Sequence, residues 1–322
     1  MYGRMRVLIA YDGSNCADDA LNDLRRAGLP PVAEALIVNV AEVWLPLPMA
    51  RQSEKAVAAG TNNVLLQSAD VQSDRPIQLD ETSAKAISAG ERLKAFFPEW
   101  TVKTESLRGS PAAAIVRRAA EWKADLLIAG SHGKSESSRL WLGSVSQKLA
   151  NESSCSVRVT RSHGAWKNGA PVRILIGLDG SSSAEAAVAE VARRFWIIGS
   201  EVRMVVVLDK PERTAIPRHN DDVQVRLPTS ESGHPAWVSE FVKRAHNKLS
   251  QAELNVSEFI VEGDPKHIIV AEAEEWGADC VFVGACDGDN SGQPCLLGSV
   301  STAIVARAHC TVEVVRDRAR AV

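Results

Sequence analysis

Hydrophobic and polar positions follow two patterns that alternate along the chain. Short runs rich in β-branched residues are separated by longer segments whose apolar residues recur every three or four positions. The short runs predict buried strands, and the longer segments predict helices with one apolar face. In the first half of the chain the predicted strands are residues 6–10, 35–40, 101–107, 125–129 and 156–160. Helices between successive strands favour a parallel five-stranded sheet covered on both faces, because parallel crossovers place helices there.

Two of the predicted helices have clear start signals. Ser14 is suited to cap a helix that has Asp18 and Asp19 near its start and that ends near Gly28. Pro111 stands at a first helical position, where proline is favoured. The helix that follows it carries an apolar face with Ile115, Ala119 and Trp122.

The second half of the chain repeats the first. The segment "RVLIAYDGS" returns as "RILIGLDGS", and "LGSVSQKLANESSCSVRVTR" returns as "LGSVSTAIVARAHCTVEVVR". Asp12 matches Asp179 at an offset of 167, whereas Gly130 matches Gly284 at an offset of 154. The first repeat therefore holds 13 extra residues (167 − 154), which we assign to the polar stretch 46–80. The repeat predicts two tandem doubly wound α/β domains, at 1–162 and 172–322, with a linker at 163–171.

Composition narrows the classes of function. The 322 residues are 45% hydrophobic and carry a net charge of −3, so a broad cationic surface for nucleic acid is not expected. No apolar stretch approaches the roughly 20 residues that cross a bilayer, and the N-terminus lacks a signal-peptide pattern. The six cysteines show no C-x-x-C spacing and predict reduced thiols. We expect a cytoplasmic protein.

The loops at the carboxyl ends of the strands are the candidate binding elements, because ligands of open α/β sheets bind there. Gly130 and Gly133 allow a tight turn with outward amides, since glycine tolerates positive φ and close approach of a ligand. Ten residues after Gly133, the segment 143–146 opens a helix. We expect the free amides of that first turn, with the hydroxyls of Ser144 and Ser146, to face the same cleft and suit a phosphate chain. Charge at the mouth is expected from His132, Lys134 and Arg139.

Simpler interpretations of the same residues remain open. The glycines are also typical of a plain turn, Ser144 of a helix cap, and Asp12 of a turn residue that caps the first helix. Trp141 and Leu142 are expected to close the loop over the core rather than to stack on a base. His132 has no partnered nucleophile in the sequence, so no catalytic residue is assigned.

The pattern G-x2-G-x9-G-[ST], together with Asp12 and the block "AEWKADLLIAGSHG", resembles the ATP-binding type of the universal stress protein family in a tandem arrangement. The resemblance implies a five-stranded nucleotide-binding fold that holds ATP, with Mg²⁺, through the loops named above. It implies adenine contacts at Ala10, Asp12 and Val40, and ribose contacts at Ala129 and Gly130. It implies phosphate contacts at Gly133, Gly143, Ser144, Val145 and Ser146. It also implies pairing of the last strands, here within one chain, and a role in stress signalling.

The counterparts in the second repeat are Gly177, Asp179, Val207, Val283, Gly284, Gly298, Ser299, Val300 and Ser301. The loop between them has changed, because Asp287 replaces Gly133 and Gly288 follows one residue late, so that the pattern becomes G-x3-G-x9-G-S. A carboxylate about 6 Å from a phosphate charge costs about 3 kcal/mol at an effective dielectric of about 20. This energy corresponds to about a hundredfold in affinity. We expect weaker nucleotide binding in the second repeat.

The acidic loop of the second repeat has other interpretations. Asp287, Asp289, Ser291 and Gly292 fit four positions of a calcium-binding EF-hand loop, but Gly298 stands where the bidentate glutamate is required. A solvated acidic loop and Mg²⁺-assisted nucleotide binding are the alternatives. No dedicated metal ligand is assigned.

Three hypotheses of function follow. The first is a nucleotide-binding protein that reports ATP to a signalling partner whose identity the sequence does not give. The second is an enzyme, either a slow ATP hydrolase or an adenylate-forming relative on the same fold, but the sequence shows neither the H-x-G-H motif of nucleotidylyl transferases nor the S-G-G-x-D-S loop of pyrophosphatases. The third is a dimer-like scaffold with two vestigial sites. Assembly of whole chains into a homodimer is left open.

Overall fold

The computed structural model describes residues 4–41, 75–132, 142–161, 169–208, 235–285 and 297–317. The strands are β1 Met5–Ala10, β2 Ala33–Ala41, β3 Thr101–Arg108, β4 Leu126–Gly130, β5 Ser156–Thr160, β6 Arg173–Leu178, β7 Glu201–Leu208, β8 Asn255–Glu262, β9 Cys280–Gly284 and β10 Thr311–Val315. The α-helices are α1 Asn15–Asp23, α2 Arg75–Phe96, α3 Pro111–Glu121, α4 Ser144–Glu152, α5 Ser182–Ala192, α6 Ala236–Ser250, α7 Pro265–Glu275 and α8 Ser299–Arg307. A 3₁₀ turn, Leu24–Arg26, extends α1.

The ten strands of the described residues form one sheet in the order β3-β2-β1-β4-β5-β10-β9-β6-β7-β8. Within each repeat every neighbouring pair is parallel, which confirms the doubly wound α/β fold of both repeats. The five strands predicted for the first repeat are confirmed, with ends that differ by one or two residues.

The predicted helix starts are also confirmed. The Ser14 hydroxyl accepts the amide of Ala17 at 3.2 Å, and Gly28 follows the helix with a φ of 63°. Pro111 opens α3. Of the predicted insertion at 46–80, residues 75–80 form the start of α2, and residues 46–74 lie outside the described part of the chain.

The two repeats join through their last strands. β5 and β10 pair antiparallel, with Val157 opposite Val314 and Val159 opposite Val312. This pairing confirms the expected pseudo-dimer within one chain. One apolar cluster draws buried residues from both repeats, which gives the two halves a shared core.

Two equivalent arginines strengthen this junction by crossing it in opposite directions. The Arg161 guanidinium donates to the carbonyls of Val305 and Ala306 at 2.7 and 3.1 Å, at the end of α8. The Arg316 guanidinium donates to the carbonyl of Ala150 at 2.6 Å, near the end of α4. A cation at a helix C-terminus binds carbonyls that have no partner within the helix. Each repeat therefore caps a helix of the other.

The boundaries of the two domains remain a prediction, because residue 162 and residues 163–168 of the linker lie outside the described part. Among the described helices, none combines the length and the apolarity that a bilayer crossing requires.

Candidate functional site

The candidate site of the first repeat lies where the order of the strands reverses. The chain builds the sheet outward from β1 through β2 to β3, and then continues on the other side of β1 with β4 and β5. The carboxyl ends of β1 and β4, at Ala10 and Gly130, are therefore neighbours at one edge of the sheet. A cleft at this switch point is where open α/β sheets bind ligands.

Gly130 ends β4 and packs tightly against α1. A Cβ at Gly130 would lie 2.6 Å from the carbonyl oxygen of Cys16. The prediction that Gly130 serves a left-handed turn is therefore wrong, because its φ is not in the left-handed region and its missing Cβ makes room for the start of α1. The contact of its backbone with ribose stays a prediction. Gly133 lies outside the described residues.

Three short hydrogen bonds hold the start of α4 beside this strand end. The Ser146 hydroxyl donates to the carbonyl of Gly130 at 2.6 Å. The Gly143 amide donates to the carbonyl of Ser131 at 2.8 Å, and the Ser131 amide donates to the carbonyl of Thr160 at 2.9 Å. The first turn of α4 is thus fixed relative to β4 and β5.

These hydrogen bonds contradict part of the predicted phosphate site. The amide of Gly143 and the hydroxyl of Ser146 were expected to face the cleft, but both bind the protein itself. The simpler interpretation of Ser144 as a helix cap is also wrong, because Gly143 is the N-cap and Ser144 is the first residue of α4. Ser144 is exposed, and its amide and that of Val145 lie in the first turn, where a helix has no acceptor of its own.

The Asp12 carboxylate accepts a hydrogen bond from a backbone amide of its own loop. Its Oδ1 accepts the amide of Ser14 at 2.9 Å, and the equivalent Asp179 accepts the amide of Ser181 at 3.0 Å. The interpretation of Asp12 as a turn residue is therefore confirmed, but the helix cap is Ser14 rather than Asp12. The Asp12 side chain is half-buried at the cleft.

Next to Asp12, Tyr11 is tied to α1. Its hydroxyl donates to the Asp18 carboxylate at 2.7 Å, and Arg92 of α2 binds the same carboxylate. Burial, followed by the hydrogen bond to Asp18, raises the pKa of Tyr11 to about 12. The tyrosine stays protonated and links β1 to α1 and α2.

His132 does not supply the positive charge expected at the mouth of the site. Its Nδ1 lies 3.1 Å from the Ser131 hydroxyl. Burial, reinforced by the nearby Arg161 guanidinium, lowers the pKa of His132 below its usual 6.5, so the ring is neutral at pH 7. Lys134, Arg139 and Trp141 lie outside the described residues, and Leu142 packs against the core as predicted.

The second repeat has the same hydrogen bonds between the end of its fourth strand and the start of the helix that follows. The Ser301 hydroxyl donates to the carbonyl of Gly284 at 2.6 Å, and Gly298 is the N-cap of α8 and donates to Ala285 at 2.9 Å. A Cβ at Gly284 would lie 2.6 Å from the carbonyl carbon of Ser183. Ser299 and Val300 therefore stand where Ser144 and Val145 stand in the first repeat. The acidic residues Asp287 and Asp289, with the candidate calcium loop, lie outside the described part.

The strand residues assigned to adenine and ribose lie within one residue of the carboxyl ends of their strands in both repeats. Ala10, Val40, Gly177 and Val207 are half-buried at the carboxyl edge of the sheet. Ala129 and Val283 stand one residue before the ends of their strands and are buried, at 3% and 4% exposure. Because Ala129 and Val283 are buried in the core, only their backbone is near the cleft.

Sequence reasoning missed two residues at these clefts. A Cβ at Gly13, which has a φ of 77°, would lie 2.8 Å from Cδ of Lys85. A Cβ at Gly180, which has a φ of 81°, would lie 2.6 Å from Cζ3 of Trp237. The loop after the first strand of each repeat is thus covered by a lysine stem in one case and by an indole in the other. No local sequence pattern indicates these contacts, because the two side chains come from α2 and α6, which are distant along the chain from the glycines that they cover.

Comparison with known proteins agrees with this architecture. A sequence model of the Universal stress protein family matches residues 3–161 and again residues 172–316. A universal stress protein of Mycobacterium tuberculosis is 29% identical over 241 residues, which cover 73% of this chain and 75% of that protein. A universal stress protein of Methanocaldococcus jannaschii is 40% identical over 73 residues, which cover 22% of this chain and 43% of that protein.

The crystal structure of a universal stress protein from Archaeoglobus fulgidus has the same fold. It superposes with a TM-score of 0.62 at 20% identity and covers 98% of this chain and 99% of that one. Both repeats match the family in sequence, and the whole two-repeat arrangement recurs in a solved structure. The chain therefore belongs to the universal stress protein family, with one copy of the family domain in each repeat.

Proposed function

We propose that the first repeat binds ATP, with Mg²⁺, in the cleft at its switch point and that the protein reports this binding in a stress response. In this proposal Ala10, Asp12 and Val40 lie against adenine, and the backbone of Ala129 and Gly130 lies against ribose. Gly133, the amides of Ser144 and Val145 and the Ser144 hydroxyl hold the phosphates. Gly143 and Ser146 have a different role, because their hydrogen bonds position α4.

The first turn of α4, in which Ser144 is exposed and which is fixed next to the end of β4, is the observation that carries the proposal. Amides in the first turn of a helix have no acceptor within the helix, and the helix dipole adds positive potential there. Here that turn is held at the strand end by the Ser146–Gly130 hydrogen bond of 2.6 Å. A rigid set of donors at a switch point suits the phosphates of a nucleotide.

The second repeat retains this frame but places acid in the loop before α8. In the sequence, Asp287 stands at the position of Gly133. Asp287 and Asp289 also stand where the first repeat has basic residues near that glycine. Repulsion between carboxylate and phosphate lowers affinity unless a bound cation offsets it. We therefore propose that the second repeat binds ATP at least tenfold more weakly than the first.

The test is to purify the full chain without added nucleotide, denature it with heat and measure released nucleotide by chromatography. One equivalent of ATP per chain is the expected result. Two equivalents of ATP per chain would contradict the proposal that the second repeat binds ATP more weakly than the first. No nucleotide, together with no thermal shift on addition of Mg-ATP, would contradict ATP binding and favour the scaffold.

Matched variants separate the remaining alternatives. Gly133→Asp imitates the second loop within the first repeat and is expected to weaken ATP binding at least tenfold, whereas Asp287→Gly is expected to strengthen the second site. Unchanged affinity in both variants would refute the charge argument. Steady production of ADP that Gly133→Asp abolishes would instead favour the slow ATP hydrolase.

A further inference from the structure

The centre of the junction between the repeats lies at one pair of equivalent residues. Arg158 in β5 and Glu313 in β10 occupy the same position in the two copies of the repeat, in "SVRVTR" and "TVEVVR". In the antiparallel pairing of β5 with β10 these two residues lie directly opposite each other. The pseudo-twofold axis of the chain therefore passes between an arginine and a glutamate. If two identical repeats paired in the same way, the residue at this position would lie opposite its own copy.

The pair belongs to a buried series of charges. Arg158 and Glu313 are 1% and 0% exposed, and their side chains are joined by an ion pair of 3.1 Å. Arg158 also binds Asp23 of α1 at 2.6 Å. Arg194 binds both Glu313 and Glu190. The charges alternate in the order Asp23, Arg158, Glu313, Arg194, Glu190.

The charged states of Arg158 and Glu190 are maintained by neighbours of opposite sign. Burial alone would lower the pKa of Arg158, but attraction to Asp23 and Glu313 raises it above its ordinary value. Burial alone would raise the pKa of Glu190, but Arg194 and Arg193 lower it. Each buried charge therefore depends on a neighbour of opposite sign.

Pairing of a repeat with its own copy would break the alternation at its centre. Two first repeats would place Arg158 against Arg158, and two second repeats would place Glu313 against Glu313. Two further contacts also need one repeat of each kind, because Arg194 donates to the Ala27 carbonyl at 2.8 Å and Thr311 donates to Asp23 at 3.1 Å. Like charges brought together in a buried interface act strongly against the wrong partner.

We infer that the Arg158–Glu313 pair makes the last strand of each repeat selective for the other repeat and excludes pairing between identical repeats. The partner that fits the β5 edge is thus a strand with an acidic residue at the axis, supplied by this chain. This inference does not depend on ATP binding.

The first test measures whether separated repeats pair with the other repeat or with a copy of themselves. A protease site placed between Arg161 and Gly169 is cleaved in the folded protein, and both halves are unfolded in urea, refolded together and weighed by native mass spectrometry. We expect the mixed pair to exceed either identical pair by about a hundredfold. The matched variant Arg158→Leu with Glu313→Leu is expected to lose most of this excess, and the preference that remains is expected to come from the Arg194–Ala27 and Thr311–Asp23 contacts. A statistical mixture from the wild-type halves, or full selectivity in the leucine variant, would overturn the inference.

The second test uses the intact chain and needs no refolding of halves. Arg158→Met and Glu313→Met are combined in a double-mutant cycle, with unfolding in urea as the measurement. We expect the double variant to be at least about tenfold more stable, in the folding equilibrium constant, than the sum of the single effects predicts, because each single change strands a buried charge. The half-exposed pair Arg173 and Glu201, at 3.6 Å, is the control and is expected to be additive. Additivity at Arg158 and Glu313 would contradict the coupling on which the inference rests.

Discussion

Gly130 lies so close to Cys16 that a Cβ on the glycine would stand 2.6 Å from the carbonyl oxygen of the cysteine. This contact brings the start of α1 against the end of β4 and thereby fixes two sides of the candidate cleft. Because the obstacle is backbone, it cannot move aside as a flexible side chain would. We predict that Gly130→Ala lowers the free energy of unfolding by about 1–3 kcal/mol.

Thermal and urea unfolding of the variant would measure this loss. Gly177→Ala is the matched control, since the equivalent residue of the first repeat is already Ala10 and an added Cβ would meet only side-chain methyl groups, at 3.2 and 3.3 Å. The control is expected to change stability much less. Equal stability of Gly130→Ala and the wild type would show that α1 can shift without cost.

Substitutions of Ser144 and Ser146 distinguish two roles in the site. Ser146 positions α4 through its hydrogen bond to Gly130, whereas Ser144 is proposed to contact ATP. Ser146→Ala leaves the Gly130 carbonyl without its 2.6 Å hydrogen bond and is expected to lower stability by about 1–3 kcal/mol, with or without ATP. Ser144→Ala removes an exposed hydroxyl and is expected to change stability by less than about 0.5 kcal/mol while it weakens ATP binding about tenfold. Thermal unfolding and calorimetric titration measure the two effects.

The same substitutions in the second repeat provide the control for this pair. Ser301→Ala is expected to match Ser146→Ala in stability, because the Ser301 hydroxyl donates to Gly284 at the same distance of 2.6 Å. Ser299→Ala is expected to leave ATP affinity unchanged if the second site is weak. A loss of ATP affinity with Ser146→Ala at unchanged stability would reverse the roles given to the two serines.

The strands and the strand-end loops could be predicted from the sequence because both are local features. A run of β-branched residues predicts a strand regardless of its neighbours, and the repeat predicts the same run a second time. The contacts that make the loops rigid are not local. The sequence shows Gly130 as a turn residue, whereas its need for a missing Cβ arises from Cys16, more than a hundred residues earlier.

Charges inside predicted strands show the same limit. The pattern around Arg158 predicts a strand, but it does not reveal that the guanidinium is 1% exposed and faces Glu313. That relationship depends on the antiparallel pairing of two strands from different repeats. Likewise, neither Lys85 nor Trp237 belongs to a motif, and only packing places them over Gly13 and Gly180.

Cysteine labelling tests the packing of the second repeat and of the junction. Burial raises the pKa of the Cys310 thiol to about 12 and also raises the pKa of the Cys280 thiol. Because the thiolate is the reactive form, both are expected to resist iodoacetamide at pH 8 in the folded protein. Of the four cysteines in the described part of the chain, Cys16 and Cys155 are half-buried and are expected to react before Cys280 and Cys310.

Peptide mapping after timed labelling measures the rates, and labelling in urea serves as the reference for full exposure. The protection of Cys280 and Cys310 is expected to disappear in urea. Rapid labelling of either residue in the folded chain, at a rate close to that of Cys155, would show that the junction opens on the time scale of the reaction.

The pH dependence of stability is predicted to contain a contribution from His132. Burial and the nearby Arg161 lower the pKa of His132 in the folded state below the 6.5 of the unfolded chain, so the unfolded state binds the proton more readily. Its contribution to stability is therefore complete above about pH 6.5 and is lost as the pH falls toward the folded pKa. Glu190 acts in a separate window, because its lowered pKa places the corresponding loss below about pH 4.5.

His132→Asn keeps a polar atom near the Ser131 hydroxyl but removes the titration. Urea unfolding at closely spaced pH values from 4 to 8 would compare the variant with the wild type. We expect the two stability curves to run parallel above about pH 7 and to diverge below about pH 6.5, where only the wild type loses stability through this group. Parallel curves down to pH 5 would contradict the burial of a neutral imidazole and would restore His132 as a source of positive charge at the mouth of the site.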